Sequence, residues 1–296
     1  MTKEEKKLEK AKKNKSKKEG RRVRSLDPMH YVGIYLMDDR TGASNYFTGT
    51  LDIAVAEEYV KSKREQGMKD FSIMHLYLAA FVRMYSQHPQ MNRFIRGHRI
   101  YARNNIEIAM TIKKEMKLNA DDTVIKLVYP HESTAEEVYR ITQKVIADAL
   151  AEDGDFDGTV KILNKIPRCV MRVVAWFIKK LDYYGILPKS LVSISPFHGS
   201  MVITSLASLG IPPIYHHLYD FGNVPVFMSF GAKKHRYELQ SDGTTKHVPY
   251  VSYTVVMDER TVDGFYYASA LRYMNRIYRN PWMLDERPET IAEDIP

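Results

Sequence analysis

Residues 258–264 form a short charged segment, Asp-Glu-Arg-Thr-Val-Asp-Gly, between two stretches of different periodicity. The preceding run, Val248–Met257, is rich in β-branched and aromatic residues and predicts a strand. The following run, Phe265–Tyr278, has apolar residues at helical spacing. Asp263 stands where a helix N-cap is expected. A strand that leads through a charged turn into a helix places polar groups at a sheet edge, so the segment is either a solvated turn or part of a site.

The composition is that of a globular protein, with 44% hydrophobic and 27% charged residues in a chain of 296. The single cysteine, Cys169, excludes an intrachain disulfide and a cysteine-based metal cluster, and its apolar surroundings predict a buried, inert thiol. The N-terminus does not resemble a secretory signal, and no apolar run reaches the roughly 20 residues that span a bilayer. These features predict a cytoplasmic protein.

The net charge of +8 is concentrated in the first 24 residues, which contain nine Lys, three Arg and four Glu. The remainder of the chain is neutral, which argues against a nucleic-acid-binding module. We expect residues 1–24 to be a basic disordered tail that solubilises the protein. An alternative is that the tail makes weak, non-specific contact with nucleic acid or an anionic membrane.

Strands and helices are mixed along the rest of the chain. Strands are predicted at Tyr46–Ile53, Arg99–Tyr101, Ile106–Ile112, Val192–Ile194, Met201–Leu206 and Val224–Gly231, and helices at Ala54–Gln66, Phe71–Tyr85 and after the capping box Ser133–Glu136. The turn at Asp242-Gly243 predicts a long hairpin that pairs Val224–Phe230 with the strand from Val248. The pattern predicts one α/β domain over residues 25–296, with a mixed sheet flanked by helices.

The segment Cys169–Leu181 is strongly apolar and ends in a basic pair, Lys179-Lys180. Two structures are compatible with this pattern. One is a buried helix, which we favour because the segment is short and its basic side is small. The other is a helix that lies on a membrane surface.

Four stretches together resemble the catalytic domain of the 2-oxo-acid dehydrogenase acyltransferases (dihydrolipoyl acyltransferases) and, more distantly, chloramphenicol acetyltransferase. They are His88–Asn92, Ile106–Met110, Thr204–Gly210 and Asp258–Gly264. The third is similar to the family's Ser-Asn-Leu-Gly-x-x-Gly, and the fourth to its Asp-His-Arg-x-x-Asp-Gly. Their order and spacing agree over residues 30–285.

The resemblance implies a chloramphenicol acetyltransferase-like fold and a homotrimer with active sites between subunits. It also implies coenzyme A or acyl-coenzyme A as co-substrate. In the last motif, Asp258, Arg260, Asp263 and Gly264 match the family, but Glu259 replaces the histidine that acts as general base. In the third motif, the hydroxyl that stabilises the oxyanion corresponds to Thr204 or Ser205.

Glu259 changes the expected chemistry, because an unperturbed glutamate has a pKa of about 4.3 against about 6.5 for histidine. Removing the proton of a thiol is then harder by roughly 3 kcal/mol, part of which burial of the glutamate could recover. His198, beside the third motif, is an alternative base. A metal site at His216-His217 with Asp220 is not expected, because adjacent strand residues point apart.

The leading hypothesis is a stand-alone acyltransferase-fold enzyme that moves an acyl group between coenzyme A and a small-molecule acceptor, with Glu259, Asp263, Thr204, Ser205 and His198 as candidate catalytic residues. No flexible linker precedes the domain, so no lipoyl domain is expected, and no metal is expected either. One alternative is a catalytically silent protein that binds a ligand or supports assembly. Another is a module that binds nucleic acid or membrane through the tail.

Overall fold

The computed structural model describes residues 19–113, 122–151 and 167–295. Its elements, in chain order, are β1 Gly20–Arg22, α1 Pro28–Leu36, β2 Ser44–Asp52, α2 Ala54–Glu65, α3 Ile73–Gln87, β3 Arg93–Ile95, β4 Ile100–Arg103, β5 Ile106–Lys113, β6 Asp122–Tyr129, α4 Ala135–Ala151, α5 Arg168–Tyr184, α6 Lys189–Ile194, β7 Met201–Ser205, β8 Val226–Leu239, β9 Thr245–Asp258 and α7 Gly264–Arg279. Short 3-10 turns lie at Pro89–Asn92, Ala207–Leu209 and Pro281–Leu284.

The main sheet has six strands in the order β2-β9-β8-β7-β5-β6, and a smaller sheet has the order β1-β4-β3. Strand β7 pairs in parallel with β5 and with β8, whereas the other pairs in the main sheet are antiparallel. The predicted hairpin is confirmed as β8 and β9, with a register shift between Phe230 and Lys233. This mixed sheet flanked by helices confirms the predicted fold class.

Helix α3 is the centre of the core, and its residues from His75 to Ser86 are all buried. It contacts α2, α4 and α7, and its Tyr77 ring stacks on Phe230 of β8 at 4.0 Å between centroids. Its first turn is capped by Ser72, whose N–H donates to Nδ1 of His75 at 3.0 Å. Burial lowers the pKa of His75 to about 4, so the ring is neutral near pH 7 and can accept this bond.

Two local predictions are corrected by the structure. Residues Val192–Ile194 belong to helix α6 rather than to a strand, because the Pro188 carbonyl accepts the N–H groups of Leu191 and Val192 and starts a helical turn there. The capping box of α4 is shifted by one residue: Thr134 N–H donates to Glu137 Oε2 at 3.0 Å, and Glu137 N–H donates to Thr134 Oγ1 at 3.3 Å. The Ser133 hydroxyl instead donates to the carbonyl of Pro130 at 2.9 Å.

The predicted burial of the Cys169–Leu181 helix is wrong for the single chain. Asp182 is the one buried residue among those of α5, and Cys169 is exposed. The helix carries two apolar stripes, of which one is half-buried against the protein and the other is open to solvent. Periodicity alone could not show that the second stripe lacks a partner within the chain. Among the described residues, no helix has the length and apolar character needed to cross a bilayer.

The folded structure includes residues before position 25, where the sequence analysis placed the start of the domain. Residues Gly20–Arg22 pair with β4, and Val23 is 3% exposed in a small cluster with Ile34, Ile95 and Ile100. The Glu19 carboxylate also forms an ion pair with Arg96. Residues 19–23 of the predicted tail therefore belong to the folded structure, and residues 1–18 lie outside the described part of the chain.

Two deletions test this boundary by thermal denaturation. Removal of residues 1–24 should lower Tm, because it removes β1 and exposes the pocket of Val23, whose burial is worth roughly 1.5–3 kcal/mol. Removal of residues 1–18 serves as the matched control and should leave Tm unchanged, because it keeps β1 and the pocket of Val23 intact. Equal melting temperatures for the two truncated proteins would contradict the docking of residues 20–24.

Candidate active site

The charged segment is a tight turn that connects β9 to α7. Asp263 is the N-cap of α7, as predicted: its Oδ1 accepts the N–H of Tyr266 at 2.8 Å. At the other end of the turn, the Thr261 hydroxyl donates to the carbonyl of Asp258 at 2.7 Å. The N–H of Glu259 donates to the carbonyl of Ala43 at 3.0 Å, which fastens the turn to the chain that enters β2. The backbone of the turn is thus held at three places.

A buried cluster of three charges underlies the turn. The Arg260 guanidinium donates to both carboxylate oxygens of Asp258, at 2.8 Å to Oδ1 and 2.9 Å to Oδ2. On its other side Asp258 meets Arg40, whose Nε lies 3.6 Å from Oδ2. Asp258, Arg260 and Arg40 are 1%, 4% and 5% exposed. Burial lowers the pKa of the Arg40 guanidinium, whereas the charge of Asp258 raises it.

Arg40 connects the cluster to the loop that precedes β8. Its Nη1 donates to the carbonyl of Tyr219, and its Nη2 donates to that of Gly222 at 2.9 Å. Arg260 in turn donates from Nη1 to the carbonyl of Met37 at 2.7 Å. The end of β9 is therefore tied to the segment before β2 and to the loop before β8.

In the sequence, Glu259 lies between Asp258 and Arg260, which are both buried, yet Glu259 is itself exposed. The bidentate pair fixes the residues on either side of Glu259 and turns its side chain outward. Solvent therefore surrounds the Glu259 carboxylate on the single chain.

The candidate oxyanion donors lie elsewhere on the sheet. Thr204 is half-buried and Ser205 is exposed at the end of β7. Successive strand residues point to opposite faces, so Thr204 and Ser205 face different sides of the sheet. The Ser205 Oγ accepts the N–H of Ala207 at 3.4 Å and is used within the turn that follows.

The strand register separates these donors from Glu259. Thr204 pairs with Ser229 of β8, and Ser229 pairs with Thr254 of β9. Glu259 follows Thr254 by five residues, which corresponds to about 16 Å along the strand, and β9 is two strands from β7, or about 10 Å. The structure therefore does not bring Glu259 and Thr204 together within one chain.

His198 is a buried residue, 1% exposed, in a polar chain of its own. Its Nδ1 lies 2.8 Å from Ser195 Oγ, and its Nε2 lies 3.0 Å from Oδ1 of Asp182. The other oxygen of Asp182 accepts the N–H of Gly222 at 3.0 Å. Burial alone would raise the pKa of the Asp182 carboxyl, but the hydrogen bond and charge interaction with His198 outweigh this effect and lower the pKa.

Both ring nitrogens of His198 thus lie within hydrogen-bond distance of protein groups. Gly222 joins this chain to the charge cluster, because its carbonyl accepts from Arg40 and its N–H donates to Asp182. Through Asp182 and Gly222, His198 is therefore connected to the loop that Arg40 binds.

Sequence reasoning did not identify Arg40, Asp182 or His30 as residues of this region. His30 of α1 contacts the Arg260 carbonyl through Nε2. All three are distant from the turn in sequence, and each sits in a segment that is ordinary for a loop or a helix. No local pattern could have assigned them, since their roles depend on tertiary contacts.

The His216-His217 pair is not part of a metal centre in the described residues, where no group of three or more metal-binding side chains occurs. The His216 ring stacks on Phe227 at 4.3 Å, and Asp220 accepts the N–H groups of Arg40 and Thr41. A cavity of about 410 Å³ opens beside Arg40 and Arg260. Its wall mixes aspartates with arginines and lysines, so its charge does not select an anionic cofactor.

Comparison with solved structures shows which fold this site belongs to. The chain is similar to a probable dihydrolipoamide acetyltransferase from Listeria monocytogenes, with 12% identity, a TM-score of 0.55 and coverage of 86% of this chain and 93% of the other. It is also similar to the dihydrolipoamide acetyltransferase of Azotobacter vinelandii, with 10% identity, a TM-score of 0.52 and coverage of 86% and 88%. A chloramphenicol acetyltransferase gives 13% identity, a TM-score of 0.52 and coverage of 86% and 99%.

No protein-family model and no curated protein sequence matches the chain. At 10–13% identity, the structural likeness establishes the fold that these acyltransferases share. The mixed α/β architecture expected from the motif resemblance is thereby confirmed, and the chemistry has to be argued from the residues.

The buried cluster predicts a large effect of a single carboxylate-to-amide change. Asp258→Asn leaves Arg40 and Arg260 buried without their anion, so the free energy of unfolding should fall by about 3–5 kcal/mol. Urea denaturation measures this loss. Asp148→Asn, at an exposed position of α4, is the control and should change the unfolding free energy by less than about 0.5 kcal/mol. Equal losses in the two variants would show that Asp258 does not hold the turn.

Proposed function

We propose that the protein is an acyltransferase-fold enzyme that transfers an acyl group between coenzyme A and an acceptor, with Glu259 at the position of the general base. The observation that carries this proposal is the frame around Glu259. The Asp258–Arg260 pair and the Asp263 cap fix the turn from both sides, and they leave one exposed side chain at its apex. A frame of this kind holds a reacting group in place without using its functional atoms.

The register of the sheet supports a site built from two subunits. In one chain, Glu259 and Thr204 are each at the carboxyl end of a strand, but they lie at opposite edges of the sheet, because β7 is parallel to β8 and β8 is antiparallel to β9. A neighbouring copy can supply the missing partner, and the motif resemblance implies a homotrimer. Exposed apolar side chains flank this part of the sheet and offer interface surface, among them Ile211, Ile214 and Tyr215 at 42%, 43% and 52% exposure.

In the proposed reaction, Glu259 transfers a proton and Thr204 stabilises the oxyanion. The acceptor attacks the thioester carbonyl of acyl-coenzyme A while Glu259 takes its proton. The Thr204 hydroxyl donates a hydrogen bond to the oxyanion that forms. The intermediate then re-forms its carbonyl and breaks the carbon–sulfur bond, and the departing coenzyme A thiolate takes the proton that Glu259 holds. A carboxylate base disfavours a thiol acceptor, and it attracts a cationic acceptor such as an amine.

The quaternary structure is tested by light scattering on the full chain. We expect a mass close to three times 34.4 kDa at micromolar concentration. A three-subunit assembly follows from the motif resemblance and would join the two halves of the site. A clean monomer would contradict both the trimer and the shared site.

The base position is tested by acetyl transfer from acetyl-coenzyme A to dihydrolipoamide at neutral pH. The wild type should show little transfer, and Glu259→His should raise the rate, because the imidazole pKa of about 6.5 is closer to that of a thiol. Glu259→Gln is the matched control, since it removes the charge without supplying a base, and it should not raise the rate. Brisk wild-type transfer that the histidine lowers would make Glu259 the working base for thiols and overturn this expectation.

Within the Glu259→His protein, Thr204→Ala should lower turnover on the order of a hundredfold by removing the oxyanion hydrogen bond. Ser205→Ala should cost less, because Thr204 is the proposed donor; a larger loss at Ser205 would move the oxyanion assignment to that hydroxyl. If neither change lowers the rate, the oxyanion assignment is wrong. Coenzyme A binding without turnover in every variant would instead favour the silent ligand-binding or assembly protein.

A further inference from the structure

Exposed apolar side chains are concentrated on two neighbouring helices, α1 and α5. On α1, Met29 and Leu36 are each 78% exposed. On α5, Val173, Trp176 and Tyr184 are 64%, 59% and 70% exposed. We call the exposed sides of these two helices the α1–α5 face. Large apolar residues at such density are unusual for a surface that meets only water.

The two helices form one continuous surface through His98. The His98 ring stacks on Tyr35 of α1 at 5.2 Å between centroids, with the planes 5° apart. Its Nδ1 lies 2.8 Å from the hydroxyl of Tyr183 on α5. Aromatic groups therefore run without a break from one helix to the other.

Basic side chains surround this face. Arg22, Arg24 and Arg99 line an open groove of about 740 Å³ beside Tyr31 and Val32 of α1. On α5, Arg168, Arg172, Lys179 and Lys180 are exposed. The one acidic residue of α5, Asp182, is buried and paired with His198.

Three acidic groups, Asp27, Asp38 and Asp39, lie near this face, against the seven arginine and lysine side chains named above. Asp27 caps α1 by accepting the N–H groups of Met29 and His30. Asp38 lies 3.9 Å from His98, and Asp38 and Asp39 line the same cavity as Lys179 and Lys180. The border of the face is therefore predominantly positive, with arginine and lysine side chains next to exposed aromatic rings.

We propose that the α1–α5 face docks on the surface of an anionic phospholipid bilayer. The apolar sides of both helices would enter the boundary between headgroups and acyl chains, where Trp and Tyr side chains are favoured. Arg22, Arg24 and Arg99 would meet lipid phosphates in the groove, and the long basic side chains of α5 would reach the headgroups.

The charges favour a bilayer over a second copy of the chain as the occupant. A twofold contact of this face with itself would bring the basic side chains of both copies into one interface. An anionic bilayer offers apolar depth and negative charge together, and it matches both properties of the face. This inference stands independently of the proposed acyl transfer, since it uses neither Glu259 nor Thr204.

The test is co-sedimentation of the full chain with vesicles of phosphatidylcholine and phosphatidylglycerol, and with vesicles of phosphatidylcholine alone. We expect binding to the mixed vesicles and weak binding to the neutral ones. The double change Trp176→Ser and Phe177→Ser should lower partitioning on the order of tenfold or more, because two large apolar side chains no longer enter the bilayer. The matched control is Tyr237→Ser with Leu239→Ser, where both residues are 77% exposed on the β8–β9 hairpin.

The basic N-terminal residues could attract anionic lipid by themselves. Two charge-reversal variants distinguish this attraction from binding through the α1–α5 face. Arg168→Glu with Arg172→Glu should weaken binding strongly, whereas Lys234→Glu with Lys246→Glu on the hairpin should have little effect. Trp176 also provides a direct signal, because the chain has two tryptophans and Trp282→Phe leaves Trp176 as the sole reporter. Its emission should shift to shorter wavelength with the mixed vesicles.

Binding that is insensitive to the α5 changes would assign the attraction to the N-terminal residues and overturn the proposal. Changes at Trp176 and Phe177 that alter the mass in light scattering, but leave vesicle binding intact, would show that the face is covered by another copy. Absence of binding to the mixed vesicles would also refute it.

Discussion

The pairing of Asp258 with Arg260 and Arg40 is the interaction on which the candidate site depends. Three charges are removed from water there, and the desolvation is offset because the carboxylate accepts a bidentate pair and both guanidiniums donate to backbone carbonyls. The contacts join the end of β9 to the segment before β2 and to the loop before β8. The outward direction of Glu259 follows from this anchoring, since its neighbours on both sides are fixed. A residue at this position can change without disturbing the turn that presents it.

Local patterns predicted much of the fold. The apolar run of α3, the hairpin of β8 and β9, and the Asp263 cap depend on sequence spacing and turn chemistry, and each is present. The contacts of Arg40, Asp182 and His198 were not predictable, because the partners are far apart in sequence and no periodic signal connects them. Cys169 shows a further limit. An apolar helical stripe has the same pattern whether it packs against protein or remains open, so hydrophobicity alone predicted burial where the structure shows exposure.

The direction of the strands explains why the candidate site is incomplete in one chain. The parallel pairing of β7 with β8 places the end of β7 far from the end of β9, because β9 runs the other way. No side-chain rearrangement can close a gap of about 16 Å along a rigid sheet. Any chemistry that needs both Glu259 and Thr204 must therefore use two copies. The surface near β7 and the α1–α5 face are distinct, so self-association and membrane docking need not compete for the same residues.

Symmetry connects these two proposals. In a cyclic trimer, all copies of a given face are related by rotation about one axis and can meet a flat surface that lies across that axis. A single face with two short amphipathic helices would bind a bilayer weakly. Three faces presented to the same plane would bind far more tightly, because the second and third contacts form at high effective concentration. A dihedral assembly would turn half of its faces away and lose this gain. The geometry of a shared active site and the strength of membrane docking would then depend on the same rotational symmetry.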